Sequence, residues 1–407
     1  AGVVECGNNV CESSETAWSC PADCALEPGQ TGRAPGSDKR PVVPATGDAG
    51  DTGAPGTTHA WVHNPGQVAA TFVAEFTAAG AAAASGAGPF IIAPGQSLFW
   101  ADAIRSLFGD RQGGALKLDS SSPILFRTRT STVPAGNNKR GPKGILGQSL
   151  TGIRERWTIG NGDGALFLPG LQRGVHHASR LHLYEIGGSP VTARVVVFDA
   201  QGRRLRQASI DIPGGGSEPL RPGRLGTRPG FAYASVEVVG GDGRLAVSGS
   251  VVDLRTRDQI SVPALHGGLA QRPISAETHE LVAIALKRPG QFSADWRSCL
   301  AIVNPTNISQ TVRLVYESEF SHGARFGGVL ERVLTVRPGQ QLAWADVMSQ
   351  LFRVRRNAKT QGTLHLFHSG DLLVDSRVLN RRHNGGAVGS NLPALGAGDM
   401  IGAGETG

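Results

Sequence analysis

Hydrophobic positions in two distant parts of the chain fall in the same order. Residues 94–108 run Pro94-Gly95-Gln96, then Leu98, Trp100-Ala101-Asp102 and Leu107-Phe108. Residues 338–352 run Pro338-Gly339-Gln340, then Leu342, Trp344-Ala345-Asp346 and Leu351-Phe352, at a constant offset of 244 over nine matched positions. Pro-Gly predicts a tight turn, because Pro fixes φ and Gly accepts positive φ. Leu98 and Trp100 alternate with Ser97 and Phe99, the period of a half-buried strand. Asp102 and Asp346 stand where an N-cap would, ahead of a single helical turn ending in Leu-Phe. The predicted unit is strand, cap, short helix and return, present at least twice. Its expected core includes Leu98, Trp100 and Phe108 in the first copy and Leu342, Trp344 and Phe352 in the last, with each Trp closing one end of a sandwich.

The copies match further. Val62-His63-Asn64-Pro65 corresponds to Ile302-Val303-Asn304-Pro305. Gly114-Ala115-Leu116-Lys117-Leu118 corresponds to Gly362-Thr363-Leu364-His365-Leu366, and Ile124, Phe126 and Arg129 to Leu372, Val374 and Arg377. The offset drifts between 240 and 248, as small insertions in surface turns would make it. A diverged copy is read between them. Ala178 to Leu183 matches the strand before Asn-Pro, but Glu185 replaces Asn-Pro; Pro213-Gly214 stands in for Pro-Gly-Gln. Val191 to Phe198 is β-prone and runs into an Asp199-Ala200-Gln201-Gly202 turn. Leu245-Ala246-Val247 and Val251-Val252 read as closing strands.

The expected divisions are a Cys-rich module over 1–24, a flexible linker over 25–57, sandwich repeats over 58–153, 154–270 and 271–395, and a Gly-rich tail over 396–407. The first copy is expected to lack the leading strand of the others, and Ala78 to Gly88 to form a loose hairpin loop. The linker is rich in Gly, Pro, Ala, Ser and Thr, so it cannot offset its own ordering entropy.

Composition agrees with an all-β chain. Gly (57) and Pro (24) make up about a fifth of 407 residues, which favours many short strands joined by turns. Aromatic residues are 6%, too few for a broad aromatic platform for nucleic acid or sugar. The net charge of +7 comes from scattered arginines such as Arg203, Arg204 and Arg206. These fall in predicted turns without interleaved aromatics. An anionic glycan or surface is a candidate partner and nucleic acid is not expected. No run of 18 apolar residues exists, so no helical membrane span is expected.

Cys6, Cys11, Cys20 and Cys24 sit within twenty residues, spaced C-x4-C-x8-C-x3-C. Disulfides are the first expectation, with three connectivities open, and a zinc site is the alternative. The stretch Cys6-Gly7-Asn8-Asn9-Val10-Cys11-Glu12, then Glu15-Thr16 and Cys20-Pro21-Ala22-Asp23-Cys24, resembles the small "CGNGVCExGET…CPxDC" module of secreted bacterial proteins. It departs at Asn9 and Ser14, where the pattern has Gly. Asn8, Glu12, Glu15 and Asp23 offer oxygens of the kind Ca2+ takes; no other cofactor is expected. Cys299, the fifth cysteine, reads as a buried thiol, with a reactive or intermolecular thiol as the alternative.

Across 58–395 the pattern "W-R-x-x-L-x-I-x-N-P…PGQ-x-L-x-x-x-D-V-x-x-L-F…G-x-L-x-L" resembles the Ig-like β-sandwich repeats of large bacterial secreted and surface proteins. That resemblance implies an extracellular scaffold or adhesive role and a signal peptide already removed; it carries no catalytic residues. A search for chemistry agrees. His279-Glu280 is not followed by a second His at residue 283, so H-E-x-x-H is incomplete. His176, His177 and His182, like His365 and His368, place neighbours on opposite faces of a strand. No G-x-S-x-G or G-x-G-x-x-G fingerprint is present. The expectation is a non-enzymatic exported structural or adhesion protein, which self-associates through sheet edges and its N-terminal arm or meets a cell-surface partner. The alternatives are a binding module for an anionic glycan and an accessory region of a larger secreted enzyme.

Overall fold

A computed structural model of the chain describes residues 37–46, 56–109, 113–132, 146–220, 230–256, 258–267, 279–289, 295–318, 329–355, 360–368, 370–381 and 386–396. The fold is all-β. Helix among the described residues is confined to Ala103–Phe108, Val347–Gln350 and a 3-10 turn at Glu155–Trp157. Among the described residues all strand pairs run antiparallel and build three two-layer domains, each with its own apolar core.

Eight strands recur in each domain. In the first they are Val42–Thr46, Gly56–His63, Ala70–Ala78, Ser85–Ile92, Ser97–Trp100, Gly114–Ser120, Ile124–Thr132 and Leu146–Thr151. In the second they are Ala165–Arg173, His177–Glu185, Val191–Asp199, Arg204–Ile212, Ser217–Leu220, Gly230–Gly241, Leu245–Asp253 and Gln259–Pro263. In the third they are His279–Pro289, Asp295–Val303, Gln310–Ser318, Val329–Val336, Gln341–Trp344, Thr360–His368, Leu373–Arg381 and Ala387–Asn391. The pairing is the same three times: fourth-third-sixth-first in one layer, fifth-second-seventh-eighth in the other. In the third domain the layers join at a corner, where Lys287–Pro289 pairs with Arg297–Asp295.

Several expectations are corrected. The first domain does have a leading strand: Val42–Thr46 pairs with Gly114–Lys117. It lies inside the predicted linker, which looked unable to order because its partner is distant in sequence. Ser37–Asp38 adds to the edge at Ile124 and Leu125, and the second strand starts at Gly56, ahead of the expected boundary. The hairpin loop after Ala78 is short, because Ser85–Ile92 is already strand. Leu245 to Asp253 is one buried strand rather than two. Arg204 and Arg206 lie on a strand and not in a turn. The middle copy's turn glycine is Gly215 (φ +70°), matching Gly95 (+68°) and Gly339 (+65°), and not Gly214.

The two repeated motifs meet in space. Asn64 N donates to Gln96 O and Gly95 N to Asn64 O; Asn304 N donates to Gln340 O and Gly339 N to Asn304 O. The buried Asn64 amide donates to Val68 O (2.8 Å) and Ile92 O (3.0 Å) and accepts from Gly66 N (2.9 Å). Asn304 does the same with Ile308 O, Val336 O and Thr306 N. Glu185 occupies this place in the second domain but can only accept. It receives four backbone N–H groups, from Gly187, Gly188, Gly215 and Arg244, at 2.6–2.9 Å. A buried carboxylate is tolerable there because each oxygen has charge-assisted donors.

Successive domains pack in one way. The first domain sets Val42 and Ala115 against Tyr184, Ile186 and Ala246 of the second. The second sets Phe167, Phe198 and Tyr233 against Val303 and Leu373 of the third. Thr77 Oγ1 donates to Gly215 O (3.1 Å), as Tyr233 OH does to Gly339 O (2.6 Å). Ser217 N donates to Ala81 O, as Gln341 N does to Ala200 O. The eighth strands of all three domains also lie against one another.

Candidate functional site

The site follows from this repeated packing. Along the second layer, alternate residues point away from the core. In the second domain these are Arg180, His182, Ser248 and Ser250; in the third they are Cys299, Ala301, Asp375 and Arg377. All eight are buried, because the preceding domain or its neighbours lie over them. The matching residues of the first domain are His59, Trp61, Arg127 and Arg129. There Trp61 is 37% exposed and Phe99, its partner on the fifth strand, 52%; Arg127 and Arg129 are also exposed.

This open face has local order. The Trp61 and Phe99 rings lie 5.0 Å apart between centroids, and His59 stacks on Phe99 at 6.1 Å. Phe99, Trp61 and Arg127 form one row across the sheet and His59 and Arg129 the next. His63 Nδ1 meets Ser97 Oγ at 2.9 Å in the row beyond, opposite Leu125. The arrangement offers aromatic faces beside two guanidinium groups, suited to stacking and to anionic or hydrogen-bonding partners. The sequence carried a signal: Phe99 is a large apolar residue at an outward position, where the last copy has Ala343. Low aromatic content concealed it, since composition averages over a patch.

Among the covered equivalents, the charged pair of the third domain is held by several contacts. Arg377 pairs with Asp375 at 2.7 Å and donates to Pro169 O at 3.2 Å. Asn391 donates to Asp375 at 2.6 Å. Burial pushes the Asp375 carboxyl up, against the pull of Arg377. Gly170 (φ +69°) is required beside this pair, because a Cβ there would lie 2.7 Å from Arg377 Nη2. Burial pushes the Cys299 thiol up to about 12, and its Sγ donates to Ala345 O at 3.2 Å. A thiol so held is protonated and shielded.

The predicted core residues sit in matched places. Trp100 pairs with Ala60 and Leu98 with Val62; Trp344 pairs with Leu300 and Leu342 with Ile302. All four are partly buried against their domain cores, as is Phe108; Phe352 is fully buried. Asp102 and Asp346 cap the short helices by accepting from Arg105 N and Ser349 N. His182 is buried, while His177 faces Asp253 at 4.0 Å and burial lowers its pKa. His365 lies on one face near Glu317 (4.0 Å) and His368 on the buried one. His279 and Glu280 begin a strand. Cys6, Cys11, Cys20 and Cys24, the calcium candidates Asn8, Glu12, Glu15 and Asp23, and the tail beyond residue 396 lie outside the described residues.

Among the described residues, no group of three or more His, Cys, Asp or Glu is arranged to hold a metal ion, and no helix is long and apolar enough to cross a membrane. No protein-family model, curated protein or solved structure matches the chain.

Proposed function

We propose that the chain is a non-enzymatic, exported structural or adhesive protein that docks a protein partner through the open face of its first domain. The observation that carries this reading is a contrast within the molecule: one sheet face is buried in the second and third domains and exposed, with Trp61 and Phe99, in the first. Exposed aromatic residues beside arginine are what protein interfaces concentrate. The buried carboxylates support a structural role. Glu185 holds four backbone N–H groups, Asp375 holds Arg377 and Asn391, and Asp253 and Asp258 accept from Ala387 N and Gly389 N across a domain boundary.

The domains are proposed as Ig-like sandwich repeats in their two-layer build. Their strand order has its own character, since constant-type immunoglobulin domains keep the first strand beside the second and the seventh beside the sixth. Here the first pairs with the sixth and the seventh with the second. Export is proposed on the resemblance of the N-terminal cysteine pattern alone.

Hydroxyl-radical footprinting of Trp61 tests the docking reading. The purified dilute chain is expected to oxidise readily at Trp61, and the same chain on the cells that produce it to be protected. Equal oxidation in both settings refutes it. A second reading, binding of an anionic glycan, is favoured by Arg127 and Arg129 flanking Trp61. It expects retention on a sulfated polysaccharide matrix that is lost in moderate salt.

A further inference from the structure

The repeated contact, made by the first domain on the second and by the second on the third, leaves one copy of each of its two surfaces uncovered among the described residues. The acceptor left over is the open face of the first domain. The donor left over is the third domain's version of the surface that covers its successor in domains one and two. On that surface Glu317 and Thr363 are paired across the sheet, and they stand where Thr77 and Ala115, and Phe198 and Tyr233, stand in the earlier domains. Glu317 is exposed, its side chain 61% accessible. The acceptor rings are exposed too, so among the described residues one leftover surface is not covered by the other.

We infer that the third domain of a second copy of this chain docks on the first domain's open face, repeating the contact already made twice. This rests on the docking reading above and names its partner. The register of the existing interfaces fixes which residues meet. Thr77 Oγ1 lies 3.4 Å from the Tyr184 hydroxyl, and Phe198 packs in one cluster with Val303. Tyr184 and Val303 correspond to His63, each being the outward residue before Glu185, Asn304 or Asn64. Glu317 of one copy therefore meets His63 of the next. By the same correspondence Thr363, which stands where Tyr233 does, approaches the Gly95 carbonyl as Tyr233 approaches that of Gly339. The matching contacts within the chain join uncharged side chains, Thr77 with Tyr184 and Phe198 with Val303, whereas the one between copies sets a carboxylate against imidazole with arginines near by. That is the balance expected of a surface that must also face water. Because donor and acceptor are different surfaces, the association is heterologous. It propagates into a filament, or into a ring where the rotation closes.

Sedimentation velocity of the full chain over a wide concentration series tests this. The average mass is expected to rise with concentration past that of a dimer. Glu317→Lys and His63→Asp are each expected to weaken association about tenfold or more, since like or unpaired charges then face each other. An equimolar mixture of the two variants is expected to associate again. The lysine introduced in one variant then meets the aspartate introduced in the other, and the unchanged Glu317 meets the unchanged His63. A mass that stays monomeric at every concentration overturns the proposal, as does association unmoved by both variants or not restored on mixing. Trp61 protected on the producing cells together with a monomeric purified chain leaves the docking reading standing and removes the second copy as its occupant. Trp61 already protected in the dilute monomer places the cover within the chain and overturns both.

Discussion

Arg129 and Arg377 are the same residue at the same place in two copies of one fold. Arg129 lies opposite His59 and Arg377 opposite Cys299, each on the seventh strand and pointing away from the core. Arg129 is exposed, whereas Arg377 is 4% exposed, paired with Asp375 and bonded to Pro169 O of the preceding domain. The fold of each domain does not distinguish them; a neighbour over one face does. Nearby residues have diverged to match. Trp61 and Phe99 stand on the exposed face, while Ala301 and Ala343 admit a close-packed domain.

The largest effect should come from breaking the covered member of the pair. Arg377→Met leaves the Asp375 carboxylate buried without its cation, and should cost about 3–5 kcal/mol of third-domain stability. Arg129→Met should cost nothing measurable, and urea unfolding of the two variants checks the difference. Glu185→Gln presents an amide donor to backbone donors at the second domain's turn. It should cost about 1–3 kcal/mol, since at least one buried N–H loses its acceptor; hydrogen exchange at Gly187, Gly188, Gly215 and Arg244 should speed up.

Alkali sharpens the comparison further. Cys299 titrates at about 12 when folded against an ordinary 9.0. A folded pKa above the unfolded one gives stability that is intact below the unfolded value and lost as pH rises toward the folded one. The loss should reach about 2 kcal/mol near pH 10.5, at roughly 1.4 kcal/mol per unit. Urea midpoints against pH measure it, and Cys299→Ala should make the slope shallower, leaving the part that Tyr184 and Tyr233, whose hydroxyls burial also pushes up, contribute. His59→Ala, at the matching open position, should leave the slope unchanged. The smallest effect is expected for Trp61→Ala, within about 0.5 kcal/mol of the parent stability. A large loss would show that Trp61 holds the first domain together rather than facing a partner.

Much of the repeat was legible in the residues themselves. Pro-Gly-Gln, Asn-Pro and the Asp caps specify turns and helix starts through local geometry, which is why Asn64 and Gln96 could be matched to Asn304 and Gln340 before any contact was known. The leading strand Val42–Thr46 was not legible, because its order comes from pairing with residues some seventy positions on. The role of Glu185 was half legible. The replacement of Asn-Pro was plain, but not the four N–H groups that make a buried carboxylate tolerable.

The open face was the least legible. Periodicity tells which residues leave their own core and not whether another domain receives them. By itself the sequence determined the repeated unit, its turns and caps, and the alternation that builds each core, since these depend on neighbours a few residues away. Only the tertiary structure decided that three copies stack by one repeated contact, burying Cys299, Asp375 and Arg377 and leaving Trp61, Phe99 and Arg129 in water. Burial of an outward-facing residue is set by what packs across the surface, and that depends on residues far away along the chain.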